Sequence, residues 1–285
     1  MIGRALRGAW TWALGSDGST RPAALLRISL ALVLWSRFAG ELALYRVRTA
    51  SELALALVFF AASTLMLVGL WARLATAMMA VTMIVMVYGF GLYGGRLGWI
   101  HHHTYLLMWA TILCALSPCG RSLGVDRWRA LRRAGSGGPP APGERANLWA
   151  MRLCGLQLVA LYFASAIDKT DPGFLSGDRL EAILLWTYAD TGLTASPGLH
   201  TLAIAGAWLV VALEYALGLG LLHPRSRRWL LWPGLAMHAG FYLLVPVSTF
   251  SVTVACLYLA VLDPDAVHRA LARLVGDRAD GASRD

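Results

Sequence analysis

Apolar runs of about 17 to 22 residues, separated by short arginine-bearing gaps, recur along this chain, and each is long enough to cross roughly 30 Å of hydrocarbon. Eight such spans are read, at about 23–43, 53–71, 74–94, 101–118, 149–168, 200–222, 229–247 and 248–262. An alternative for the last two is one long helix broken near Pro246. Residues 178–190 offer a further short or re-entrant segment. Only 14% of residues are charged against 58% hydrophobic. A soluble domain has about 25% charged residues, so this chain has too few to cover a water-facing surface. The expected fold is all-α, a polytopic integral membrane helical bundle of about eight transmembrane helices.

The formal net charge of +9 does not point to nucleic acid, because the arginines cluster in the gaps between apolar runs and act as topology signals. With the N-terminus inside, 17 flanking arginines lie on the cytoplasmic side and 4 outside. That asymmetry predicts cytoplasmic N- and C-termini, and the arginine bias suggests a bacterial inner membrane. Residues 1–20 read as an interfacial amphipathic segment with Trp10 and Trp12, and 21–265 as the transmembrane domain. The Gly- and Pro-rich loop 121–146 is expected to be flexible and cytoplasmic, and 266–285 a basic cytoplasmic tail. Cys114, Cys119, Cys154 and Cys256 lie in or beside apolar runs without a CxxC pair, and are expected to be buried thiols.

Ionisable groups inside spans are costly and point to function. Here they are Arg27, Arg37, His101–His103, Arg152, Lys169, Glu214 and His238. Lys169 is the only lysine among 25 basic residues. Arginine stays protonated, whereas a desolvated lysine can lose its proton and serve as a base. The bland alternative is a residue snorkelling at a helix end. On the predicted topology, Lys169 and His101–His103 share the extracytoplasmic level. Consecutive histidines on a helix point about 100° apart, so no metal site is expected there. Glu214 needs a partner or a proton, and Arg27, Arg37 and Arg152 are candidate partners. His238 reads as a hydrogen-bonded core residue by default. The chain carries no Walker loop, GxSxG, HExxH or GxGxxG signature.

Three stretches resemble the vitamin K-dependent γ-carboxylase family and its membrane module, the HTTM domain. His102-His-Thr-Tyr-Leu106 is similar to the family's Asn-His-Ser-Tyr segment. Tyr162-Phe-Ala-Ser-Ala-Ile-Asp-Lys-Thr-Asp171, followed by Gly177, resembles the segment that ends in the catalytic lysine. Met237-His-Ala-Gly-Phe241 through Phe250-Ser251 resembles a later span with a histidine. The resemblance covers roughly residues 20–265 and implies catalytic roles for Lys169, His103 and His238. It also implies a cofactor pocket that includes Tyr162, Phe163, Tyr105 and His102. Asp168 stands where animal carboxylases have a second basic residue, and Phe174 is the aromatic nearest the glycine, where the family often has tryptophan. The 285 residues leave no room for the large β-rich domain that binds the carboxylase propeptide, and a peptide or small substrate on the extracytoplasmic side is the expected acceptor.

The function so implied is a carboxylase-like enzyme that oxidises reduced vitamin K or menaquinol with O2, generating a base for modification of a peptide, with CO2 as co-substrate and no metal. Its partners would be the lipid bilayer, a lipid quinone and a peptide substrate. The alternative is a non-catalytic accessory protein in peptide-toxin maturation or immunity, or a transporter-like protein.

Overall fold

A computed structural model describes residue 15 and residues 17–275. The expected N-terminal amphipathic segment and the end of the basic tail lie largely outside these residues. Among the described residues are twelve α-helices and one two-stranded antiparallel ladder, in which β1 (Asp17–Ser19) pairs with β2 (Arg145–Asn147). The chain divides into two compact units, Gly155–Tyr258 and the remainder on either side of it.

The first unit contains α1 (Arg21–Phe38), α2 (Ala50–Val68), α3 (Ala72–Ile84) and α4 (His102–Leu116). It also holds α5 (Val125–Gly135), the start of α6 (Trp149–Lys169) and α12 (Pro264–Val275). α3 continues as a π-helical stretch, Val85–Tyr93, where Gly91 lies close against Ile100. α2 starts with a reciprocal capping box between Thr49 and Glu52. α3 has no cap of its own. The Asp126 carboxylate of α5 supplies one across the sequence, accepting from the backbone N–H groups of Trp71 (2.9 Å) and Ala72 (2.8 Å). The segment 121–146, expected to be a flexible loop, thus carries a helix and part of a strand, while 139–143 has no regular structure.

Arg27 is fully buried and is used structurally. Its guanidinium donates to the carbonyls of Met66 (2.8 Å) and Leu123 (2.5 Å), bonds to a charged donor that are stronger than neutral ones. This places the guanidinium against Gly69, whose φ of +71° ends α2. A Cβ at Gly69 would stand 2.2 Å from Arg27 Nη1 and 2.8 Å from Gly124 Cα. Gly69→Ala is therefore expected to destabilise the protein by about 2 kcal/mol or more, through both the left-handed backbone and displacement of Arg27. Unfolding in detergent checks this; a loss below about 0.5 kcal/mol would contradict it.

The second unit holds the rest of α6, α7 (Pro172–Leu175), α8 (Asp178–Thr187), α9 (Pro197–Gly220), α10 (Pro224–Leu244) and α11 (Ser248–Leu257). The break between α10 and α11 falls at Val245–Val247, around Pro246. Residues 178–190 form the short helix α8 and one 3-10 turn. Gly177 adopts φ +87° before α8, and a Cβ there would meet the Ile204 backbone nitrogen at 2.7 Å.

Among the described residues, four helices can cross a membrane by length and composition: Ala50–Val68, Ala72–Tyr93, Trp149–Lys169 and Pro197–Gly220. A fifth is gained if Ser248–Ala260 and Pro264–Leu274 count as one broken span. The count of eight read from the sequence therefore resolves into four or five clear spans. Several remaining helices lose apolar length to polar ends. α1 carries Arg21, Arg27 and Arg37, α10 begins with Arg225, Arg227 and Arg228, and α4 has only 15 residues. Large apolar side chains such as Leu202, Trp208, Leu209 and Leu219 on α9 are more than half exposed, as suits helices solvated by lipid. All four cysteines are buried.

Candidate functional site

The helical period of α6 places Tyr162, Ser165 and Lys169 on one face, at positions i, i+3 and i+7. From this single face two polar clusters are built, about 10 Å apart along the axis at 1.5 Å per residue.

The first cluster is centred on Lys169 and Glu214. Lys169 Nζ donates to Glu214 Oε1 at 2.8 Å and Oε2 at 3.1 Å, and also to the Ser165 hydroxyl. Ser165 Oγ in turn donates to Glu214 Oε1 at 2.9 Å. The Glu214 side chain is 4% exposed and that of Lys169 is 22% exposed, so the carboxylate is sealed while the amine keeps one open side. The Phe174 ring stands 6.0 Å from Nζ, at the outer limit of a cation–π contact. Phe174 itself packs with Ala207 and Val211 of α9, which fixes it beside the pair. Beyond Lys169, Thr170 Oγ1 and Tyr215 OH meet at 3.1 Å.

Glu214 thus finds its partner in Lys169 rather than in any of the three arginines the sequence suggested. Arg27 is held by carbonyls, and Arg37 pairs with Glu41, four residues on in its own segment. Distance in sequence concealed the true pairing, because the register of α6 against α9 is a tertiary property. Ser165 was legible in principle, since residue i−4 from Lys169 must share its helix face.

The second cluster is a chain of three buried groups. The Tyr162 hydroxyl lies 2.9 Å from His238 Nε2 and 2.7 Å from the Tyr258 hydroxyl. His238 packs edge-on against Phe241 and tilted against Phe250. Gly234, one turn before His238 on α10, is the space in which the Tyr258 hydroxyl sits, since a Cβ there would lie 2.0 Å from it. Gly234→Ala is expected to break the Tyr162–Tyr258 bond and cost about 1–3 kcal/mol. A double-mutant cycle with Tyr258→Phe checks it; fully additive costs would sink the idea. Neither Tyr258 nor Gly234 carried a sequence signal.

Phe163, expected in a cofactor pocket, turns its ring to Gly218 of α9, where a Cβ would meet it at 3.1 Å. His103, His102 and Tyr105 belong to the first unit. Tyr105 stacks edge-on with Tyr88 at 6.1 Å. The three histidine rings lie 4.0 to 4.3 Å apart, with candidate ligand nitrogens all within 4.8 Å of one another. The 100° spacing does not apply to the whole triplet, because His101 is the extended N-cap of α4 rather than a helical residue.

Apolar helices of spanning length, with buried polar clusters between them, define a helical membrane protein. The HTTM domain model matches residues 37–265, most of the chain, and the protein belongs to the HTTM domain family, a domain shared with vitamin K-dependent γ-carboxylase. No curated protein and no solved structure matches the chain.

Proposed function

We propose that this HTTM protein is a carboxylase-like membrane enzyme in which Lys169 acts as the base toward a reduced quinone, vitamin K or menaquinol. The observation that carries the reading is the Lys169–Glu214–Ser165 cluster, built around the chain's sole lysine. Positive-inside asymmetry supports placing this end of α6 on the extracytoplasmic side.

A lysine can act as a base only when neutral, and the cluster offers a route to that state. In a base role, Glu214 Oε1, 2.8 Å from Nζ, is placed to take a proton from the amine and so leave it able to accept one from substrate. Ser165 keeps both partners aligned through the transfer, and the open side of Nζ is where a phenolic hydroxyl would approach. A reduced quinone fits these groups: an amine that accepts a phenolic proton, and in the same unit a buried histidine nitrogen without a hydrogen-bond partner. When bound, the quinol together with O2 supplies the strong base that takes a proton from a peptide glutamate, whose carbanion CO2 then traps. By resemblance, His103 positions substrate and His238 lines the pocket.

The test is to incubate the purified protein with reduced menaquinone or vitamin K under air and follow quinone epoxide by mass spectrometry. Epoxide above that from the heat-inactivated protein is expected. Folded protein that forms none, with and without a glutamate-bearing peptide, would overturn the reading.

One observation favours a second reading. A buried ion pair between α6 and α9 is also what a non-catalytic accessory protein would use to fix helix register. That protein would tolerate Lys169→Arg.

A further inference from the structure

α2 and the π-extended α3 are both long and apolar enough to cross a membrane, so the turn joining them at residues 69–71 marks one membrane boundary. The start of α5 is fastened to that turn. Its Asp126 carboxylate accepts from the Trp71 and Ala72 N–H groups, and the Asp126 backbone N–H donates to the Gly69 carbonyl at 3.0 Å. α5 therefore begins at the boundary, and its composition suits the place. Its 11 residues hold four arginines, and its one acid, Asp126, is engaged in the cap. Trp128 and Leu131, one turn apart, are half exposed, and Trp71 on the turn itself is 62% exposed. Arg132 lies over Trp128, its guanidinium carbon 4.9 Å from the ring centre. Arginine interleaved with exposed tryptophan and leucine is what a helix presents to lipid headgroups and the acyl chains beneath them.

A cleft of about 540 Å³ opens beside this helix. It is lined by Arg127 of α5, Glu144 and Arg145 at the start of β2, and Asp265, His268 and Arg269 of α12. Its two carboxylates are already neutralised. Glu144 accepts from Arg21 Nε at 3.1 Å and Nη2 at 3.0 Å, and Asp265 accepts from Arg145 at 2.8 Å. Arg127 donates to the Pro142 carbonyl but lies 3.9 Å from Glu144, and Arg269 lies 4.0 Å from Asp263. Both distances are beyond hydrogen-bond reach. Arg21, Arg127, Arg145 and Arg269 thus outnumber Glu144, Asp263 and Asp265, and the exposed Arg129, Arg132 and Arg133 add to the positive field. The Arg145 and Arg269 side chains are 62% and 61% exposed, so a ligand can reach them.

We propose that this cleft binds the phosphate of an anionic phospholipid, held by Arg127, Arg145 and Arg269 at the membrane boundary that α5 marks. The forked N–H groups of a guanidinium match the two free oxygens of a phosphodiester. Phosphatidylcholine carries the same phosphate but brings its own cation to a cleft that is already positive, so an anionic headgroup is preferred. A soluble anion would make no use of the exposed Trp71, Trp128 and Leu131. None of these residues belongs to α6 or α9, so the site stands whether or not the quinol reading does.

The test uses the full chain in a neutral detergent, titrated with phosphatidylglycerol or phosphatidylcholine of the same acyl chains and read by native mass spectrometry. Phosphatidylglycerol is expected to bind about tenfold more tightly, as suits two or more arginines acting on one headgroup. Arg127→Gln with Arg269→Gln should remove most of this preference, whereas lysine at both positions should keep it, because the charges remain. Arg46→Gln with Arg48→Gln takes the same charge from the loop before α2 and should change nothing. Thermal unfolding of each protein accompanies the titration. Should the double glutamine variant fail to fold, Arg269→Gln alone, at an exposed side chain, should still weaken the preference about threefold. Equal binding of the two lipids, an undiminished preference in the folded glutamine variants, or an equal fall in the Arg46–Arg48 variant would each overturn the proposal. Displacement of phosphatidylglycerol by millimolar inorganic phosphate would overturn it too, by making the cleft a site for a soluble anion.

Discussion

Lys169→Arg is expected to abolish epoxide formation while leaving the protein folded. Arginine keeps a positive charge in any protein site and reaches the same carboxylate, so the pair with Glu214 survives the substitution in a related form. What disappears is the capacity to give up a proton and take one from substrate. Loss of a positioned base lowers a rate by about 10²–10⁴-fold, which is the fall in epoxide expected here. The control is thermal unfolding of both proteins in the same detergent, because the comparison has meaning only if the arginine variant folds. Equal epoxide from both would remove Lys169 from the mechanism and retain the quinol chemistry. Glu214→Gln sharpens the outcome. It keeps a hydrogen-bonding side chain of the same shape but cannot take the proton from Nζ, so it too is expected to lower the rate while sparing the fold.

The second large effect is on stability. Glu214→Leu leaves the Lys169 amine with Ser165 as its remaining side-chain hydrogen-bond partner in a site where four fifths of the side chain is covered. Breaking a buried pair by removing one partner costs about 3–5 kcal/mol, and the open side of Lys169 puts the expectation near the lower end. Replacing both members, Glu214→Leu with Lys169→Met, is expected to recover most of this loss, because no unpaired charge then remains. Reversible unfolding of the four proteins in mixed micelles gives the coupling directly. A single-mutant cost below about 1 kcal/mol, or a double mutant no better than the single, would show that the two side chains are not energetically joined.

These effects also separate the two readings of the protein. A structural clamp predicts the stability result alone, with Lys169→Arg harmless to function. A base predicts both results, with function lost in a variant whose fold is intact.

Much of the class of this protein is local information. Runs of apolar residues long enough for a bilayer, interrupted by arginines, specify membrane helices because backbone hydrogen bonding closes within each run. The capping box at Thr49 and Glu52 is likewise written in adjacent residues. Lys169 stood out by composition alone, and its helix face could be drawn from the 3.6-residue period, which already brings Tyr162 and Ser165 to the same side. The number of spans was less legible, since charged ends shorten α1 and α10 and a long apolar run does not distinguish a straight span from a broken one.

Only the tertiary structure decided what those faces meet. Glu214 is 45 residues from Lys169, and nothing local favours it over an arginine. The pairing depends on how α6 and α9 are set against each other, which is fixed by packing such as Phe163 against Gly218. The same holds for Tyr258, 96 residues from Tyr162 and admitted by the missing side chain of Gly234. Sequence determined that the chain is built of apolar helices of membrane-spanning length and which residue types are out of place in them. Folding determined which of them become partners, because side-chain partnership between helices depends on register and rotation that no single helix carries.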